Sequence, residues 1–313
     1  MRRSSDNVSP QPYAPELLAI VRLVARISAI YWHQDCFPKA FDHARLHWLD
    51  ALIQFIADYS FERQGAIAAY PRSARAALQQ AGNGLAEPMA PFEREAWRLF
   101  GDLVKKADVG LNPKLQPLNW ELPGKTAATV FVGTLAEWEF NLLLWARALL
   151  ANGRAEQATA RLLEIRGVSW KLAAFYLRDV AKHFNLDEQR CGPAWCFQPG
   201  DRWVQRIAAV WGRMLGRPVT KDDYDGSVQL FVELATAAGV RGGDVNAGAW
   251  VLSQLLDRDQ RQVESSVSSL DRLEARLRET LRWNLACVGV IEPLLANRGN
   301  DGPAGPLHPA PLG

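Results

Sequence analysis

One stretch, residues 155 to 206, constrains the fold more than any other. Two amphipathic helical patterns flank a glycine turn there, and a Pro-Gly-Asp break follows. Within Ala155–Arg166, the residues Ala155, Ala158, Leu162 and Ile165 recur at helical spacing on one face. Gly167-Val168-Ser169-Trp170 interrupts the pattern. It resumes from Lys171 to His183, with Ala173, Leu177, Val180 and the adjoining Phe184 on one face. Helix, short turn and helix predict a helix-hairpin-helix at about 155–184. A loop over about 185–206 comes next. In it Pro199 and Gly200 break the chain, and Asp201 stands where it can cap a helix starting at Arg202.

The rest of the chain also reads as helix. Helices are predicted at Glu16–Trp32, at Ala40–Phe61, at Ala74–Ala81 with Ser73 as cap and Gly82 as stop, and at Pro91–Lys106. A dense apolar stretch fills 126–152. Further helices are predicted at Arg202–Leu215, Tyr224–Ala238, Asp244–Leu256 and Glu264–Ile291, with Pro293 closing the last. Ala127–Val132 is locally strand-like, but no period-2 pattern is sustained and no repeat recurs at a fixed period. The prediction is an all-α chain, with a polar tail at 1–15, one helical domain at 16–296 and a Gly/Pro-rich tail at 297–313. Two long loops stand out, 107–125 and 185–200, because loops of that length in compact domains often carry function.

These residues resemble the helix-hairpin-helix DNA glycosylases, a superfamily with a Gly/Pro-rich loop that ends in Asp. That family's hairpin reads roughly Leu-Pro-Gly-Val-Gly-x-Lys-x-Ala. The chain has Ile165-Arg166-Gly167-Val168-Ser169-Trp170-Lys171-Leu172-Ala173. The family's Asp-x-x-Val-x-Arg is matched by Asp201, Val204 and Arg206, and Asn246-Ala247-Gly248-Ala249-Trp250 is similar to a late segment of several relatives. Ser169 stands in place of the second hairpin Gly, and Arg166 in place of the Pro. Thirty positions separate Lys171 from Asp201, a spacing more similar to archaeal 8-oxoguanine glycosylases than to compact endonuclease III-like members. The resemblance implies two helical lobes with the site in the cleft between them. It also implies a DNA glycosylase with AP lyase activity, working in base excision repair as a monomer, in the cytoplasm beside the nucleoid. Its partner would be double-stranded DNA containing a damaged or modified base, 8-oxoguanine being the first expectation.

The same resemblance distributes the roles. Lys171 would sit in the first turn of the second hairpin helix, where the positive end of the helix dipole opposes an ammonium and attack needs the neutral amine. Asp201 would stabilise positive charge at the sugar's anomeric carbon and assist proton transfer. Amides of Gly167, Val168 and Ser169 can point at a DNA phosphate. If the turn needs a positive φ at position 169, Ser169 is strained there. Arg166, Arg202, Arg206 and Lys182 can supply local positive charge. This matters because the chain carries a net charge of only +2, so nucleic-acid binding requires a patch rather than bulk charge. Of twelve Trp, Trp120 in the 107–125 loop and Trp170 beside Lys171 are candidates to stack on an extruded base, and Phe197 and Gln198 are placed to approach its pocket.

No cofactor is expected. Endonuclease III-like relatives hold an iron–sulfur cluster in a C-terminal four-Cys loop, whereas Cys36, Cys191, Cys196 and Cys287 are scattered. They suit a reducing cytosol. No metal is expected either. Asp42, His43, His47 and Asp50 invite one, but a helical His pair without a third ligand is usually structural. No membrane partner is expected, since no apolar run reaches spanning length and the N-terminus lacks an apolar signal core. Two other readings stay open: a non-catalytic helix-hairpin-helix DNA-binding protein, and a monofunctional glycosylase that uses water in place of the lysine.

Overall fold

The computed structural model describes residues 13–32, 36–61, 68–111, 117–122, 124–217, 219–220 and 222–283. Both predicted tails (apart from 13–15), Cys287 and the last residues of the predicted final helix lie outside the described residues. In chain order the helices are α1 (Pro15–Ile27), α2 (Ala29–Trp32), α3 (Cys36–Ala44), α4 (Trp48–Gln54), α5 (Ala69–Gly82), α6 (Ala90–Lys106), α7 (Ala128–Gly133), α8 (Leu142–Ala151), α9 (Ala155–Leu162), α10 (Trp170–His183), α11 (Glu188–Cys191), α12 (Arg202–Met214), α13 (Tyr224–Ala238), α14 (Gly242–Leu255), α15 (Gln260–Ser266) and α16 (Leu270–Trp283). A π-helical stretch, Phe55–Phe61, continues α4, and 3-10 turns occupy Ala136–Trp138 and Ala194–Phe197. The protein is all-α. Among the described residues there is no strand, and a parallel bridge joins Thr126 to Ile165. None of the described helices is long and apolar enough to cross a membrane.

Several predicted elements differ: Glu16–Trp32 is split at Ser28 into α1 and α2, the predicted loop at 185–200 holds α11 and a 3-10 turn, and four more have a local reason. Ala40–Phe61 is not one helix: the chain breaks at Arg45–His47, where the His47 Nδ1 accepts the Leu49 N–H at 3.2 Å and caps α4. A side chain that serves a backbone donor in this way offers the chain an alternative to continuing the helix. Ser73 is no cap, because α5 begins earlier, at Ala69. Pro71 falls in its first turn, where a missing N–H leaves no intrahelical bond unmade. Ala127–Val132 is helical from Ala128, since its backbone groups find partners within a helix where no strand lies alongside. The predicted helix from Glu264 breaks between α15 and α16. There the Ser266 hydroxyl donates to the Gln262 carbonyl and the Ser268 hydroxyl to the Ser265 carbonyl, both at 2.7 Å.

The described residues divide into two compact units. A central unit runs from Trp32 to Asp201, and a terminal unit comprises residues up to Tyr31 and from Arg202 onward. In the terminal unit α1 packs on α13 and α14, and α12 packs on α13, α14 and α15. The approach of α1 to α14 is close enough that a Cβ at Gly248 would stand 1.8 Å from the Val24 carbonyl oxygen, so only glycine fits there. The Trp211 indole N–H ties α12 to the Val267 carbonyl at 3.2 Å. In the central unit one apolar core joins α4, the π-helical stretch, α5, α6 and α8 to the hairpin helices α9 and α10. Asn141 starts α8: its Oδ1 accepts the N–H groups of Leu143 and Leu144 at 3.0 Å, while its Nδ2 donates to the Ala44 carbonyl at 2.8 Å.

Candidate functional site

The predicted hairpin is formed by α9, a turn over Leu163–Ser169, and α10, all within the central unit. Gly167 has φ +83°, a left-handed conformation that residues with a Cβ enter at a cost. Ser169 does not share this requirement. Its φ of −93° and ψ of 166° are those of an ordinary cap, and its hydroxyl accepts the Leu172 N–H at 3.4 Å. Serine at 169 is therefore unstrained. The Val168 N–H is consumed inside the turn, donating to the Ile165 carbonyl at 3.1 Å, and the Val168 side chain is buried. Val168 thus corrects the expectation that its amide points outward at a phosphate. The Trp170 and Lys171 amides, in the first turn of α10, have no intrahelical acceptor. Arg166 is half-buried, and its N–H donates to the Thr126 carbonyl at 2.9 Å, fastening the turn to the end of the 107–125 loop.

Lys171 is half-exposed, and its Nζ lies 5.7 Å from the centre of the Phe175 ring. Further along the same face, the Arg178 guanidinium lies 5.0 Å from Phe175 and 5.2 Å from Trp32, and the Lys182 amine lies 5.4 Å from Trp32. Positions 171, 175, 178 and 182 follow helical spacing, so α10 carries three cations and the Phe175 ring down one stripe, with Trp32 of α2 against the last two cations. Arg178 is 1% exposed and Asp179 0%. The Arg178 Nη2 and Nε reach the Asp179 Oδ1 at 2.7 and 2.8 Å, and the Tyr59 hydroxyl donates to Oδ2 at 2.9 Å. Tyr59 belongs to the π-helical stretch, a form of helix that recurs at functional sites. Tyr176 is also fully buried, and burial pushes its hydroxyl above the ordinary phenol range. Sequence reasoning passed over Tyr59, Phe175, Arg178 and Asp179. Their signal was a charged pair set inside an apolar run, Phe175-Tyr176-Leu177-Arg178-Asp179-Val180.

Asp201 is the last residue of the central unit and precedes α12. It is 7% exposed, and its N–H donates to the Pro199 carbonyl at 2.8 Å. The segment leading to it is enclosed. Cys196, Phe197, Gln198, Pro199 and Gly200 are all buried, and burial pushes the Cys196 thiol up to about 12. Phe197 sits in the core at 0% exposure and Gln198 is equally covered. Both were expected to approach the base pocket; their side chains are enclosed in the central unit. Trp170 does have company: its ring lies 4.3 Å from that of Trp195, in the 3-10 turn packed against α10.

Trp120 lines a depression of about 600 Å³ with Lys125, Thr126 and Val130, joined by Leu163 and Glu164 from the hairpin turn, and the Arg94 guanidinium lies 5.3 Å over its ring. Lys171 is not among the residues that line this depression. Arg202 is exposed at the start of α12, and the Arg206 guanidinium lies 5.0 Å over the Trp203 ring, both in the terminal unit. Among the residues weighed for a metal, His47 is the α4 cap, and the Asp42 carboxylate lies 3.8 Å from the His183 Nε2. No family model, no curated protein and no solved structure matches the chain. The functional reading therefore rests on the residues and geometry above.

Proposed function

We propose that this chain is a helix-hairpin-helix DNA glycosylase with AP lyase activity that removes a damaged or modified base from duplex DNA. The observation that carries the reading is the α9–α10 hairpin. Its turn requires glycine at 167, and its second helix presents a half-exposed Lys171 in a first turn whose Trp170 and Lys171 amides have no intrahelical acceptor. A base within the stack is out of reach of any side chain, so the target nucleotide would be extruded first. The neutral Lys171 amine would attack the sugar C1′ and the base would leave with its bonding electron pair and gain a proton; the C1′–O4′ bond would then break, O4′ taking a proton to become the 4′-hydroxyl while the nitrogen lone pair forms the protonated imine. β-Elimination would then break the C–O bond 3′ to the lesion. Asp201, buried at the end of its Pro-Gly segment, would stabilise positive charge on the sugar as the base departs. An oxidised purine such as 8-oxoguanine is the first substrate to try, on the Lys171-to-Asp201 spacing.

Borohydride trapping on duplexes with single lesions tests this. Wild-type protein should become covalently attached to the strand. Lys171→Gln should abolish attachment while retaining duplex binding, and Asp201→Asn should slow base release strongly. Normal base release by Lys171→Gln, with only nicking lost, would assign the chemistry to water. Duplex binding with no base release from any lesion would leave a DNA-binding protein without chemistry.

A further inference from the structure

Between α15 and α16 the terminal unit has a second depression, about 490 Å³ and open to solvent. Arg261, Arg272 and Arg276 line it, with Gln262, Ser265 and Glu279. Three guanidiniums thus face one carboxylate, and Glu279 is already ion-paired with Arg276. Among the described residues the Arg272 guanidinium reaches the Ser268 hydroxyl, at 3.5 Å, and no carboxylate. Among the described residues no hydrogen bond or ion pair engages the Arg261 guanidinium. Asp259, close by in sequence, caps α15 by accepting the N–H groups of Arg261 and Gln262 at 2.8 and 3.1 Å. The Gln262 bond first, and after it the Arg261 bond and the Arg261 charge, hold its carboxyl below the usual range, so Arg261 feels one carboxylate at the edge of the depression without a direct ion pair. Gathering like charges in a concavity costs stability unless an anion resolves it.

From this arrangement we infer that the α15–α16 depression binds phosphate groups, and that these belong to a nucleic-acid backbone. Guanidinium forks match phosphate oxygens two at a time, and the Ser265 hydroxyl adds a neutral donor. Arg272 and Arg276 lie one turn apart on α16 while Arg261 projects from α15, so the charges are spread along the depression rather than focused on one point. A site for a small free phosphate compound encloses most of its ligand. An open depression contacts one side only, which suits a polymer held by several such contacts. The inference rests on the proposed function only in taking nucleic acid as the polymer, and it requires no chemistry at Lys171.

The test uses the full chain and the double variant Arg261→Gln/Arg272→Gln, with fluorescence anisotropy on an undamaged duplex across a salt series. Both side chains are exposed, so the fold is not at stake, and a melting curve checks this. For each arginine that meets a phosphate, the slope of log affinity against log salt should fall by about 0.9. Glu279→Gln, which releases Arg276, should tighten binding. Unchanged affinity and slope in the double variant would overturn the inference even if borohydride trapping at Lys171 succeeds. Altered slope with no trapping would uphold it while the enzyme reading fails. Wild-type protein that ignores duplex and single strand but binds inorganic phosphate in an Arg261-dependent way would exclude nucleic acid as the occupant.

Discussion

Asp179 is the side chain whose removal should cost most. It is fully buried in α10, accepts two bonds from the equally buried Arg178, and receives the Tyr59 hydroxyl from the π-helical stretch. Asp179→Ala would leave the Arg178 guanidinium without its carboxylate in the core. Breaking a buried pair from one side costs about 3–5 kcal/mol, a large part of the roughly 5–15 kcal/mol by which a domain is stable. Tyr59→Phe removes one hydrogen bond to a charged acceptor, about 1.5–3 kcal/mol, and keeps the ring packing on Phe41 and Tyr176. In the Asp179→Ala background the same Tyr59→Phe change should cost much less, because the Asp179 carboxylate is no longer there to receive the hydroxyl. Urea unfolding of the full chain, followed by both circular dichroism and tryptophan fluorescence, measures all three variants. Coincident transitions are needed before free energies are compared. A loss below about 0.5 kcal/mol for Asp179→Ala, the range of ordinary surface changes, would refute the argument. So would a Tyr59→Phe cost that is the same with and without Asp179.

Other expectations concern the hairpin and the titrating core. Gly167→Ala should cost about 1–2 kcal/mol, since alanine must adopt the left-handed φ, and duplex binding should weaken with the reshaped turn. Ser169→Ala should cost about 1 kcal/mol through the lost α10 cap and Ser169→Gly only a few tenths, a ranking that chemical denaturation can check. Burial holds the Cys196 thiol and the Tyr176 hydroxyl neutral in the fold while both ionise in the unfolded chain, so stability should decline as pH rises past about 8.5 and then 10. Cys196 should accordingly resist thiol reagents at mildly alkaline pH until the protein is denatured. On the acid side, burial lowers the His183 pKa, so unfolded chains take up the proton first and stability should drop as pH falls below about 6.5; His183→Gln should flatten that part of the profile.

The helical class, the hairpin and most helix positions were legible in the sequence because each is written locally. Apolar residues at helical spacing draw α10, α12 and α13, and Gly167 marks a turn that no bulkier residue enters freely. Breaks set by single side chains were less visible. His47 starts α4, and Ser266 and Ser268 mark the break before α16, through short-range bonds to backbone groups, and their residue types alone do not reveal whether those bonds form. Burial lay further out of reach. Phe197 reads as an aromatic beside a functional loop, but packing from the whole central unit encloses it, and the same packing uses the Val168 amide inside the turn. The Tyr59–Asp179 bond joins residues 120 positions apart, and Arg261 and Arg272 line one depression on either side of a helix break that periodicity ran straight through. Local pattern fixes which backbone is helical, because helix bonds close within four residues. Which charges are buried together and which are left facing an open depression depends on contacts between distant segments, and only the tertiary structure decides those.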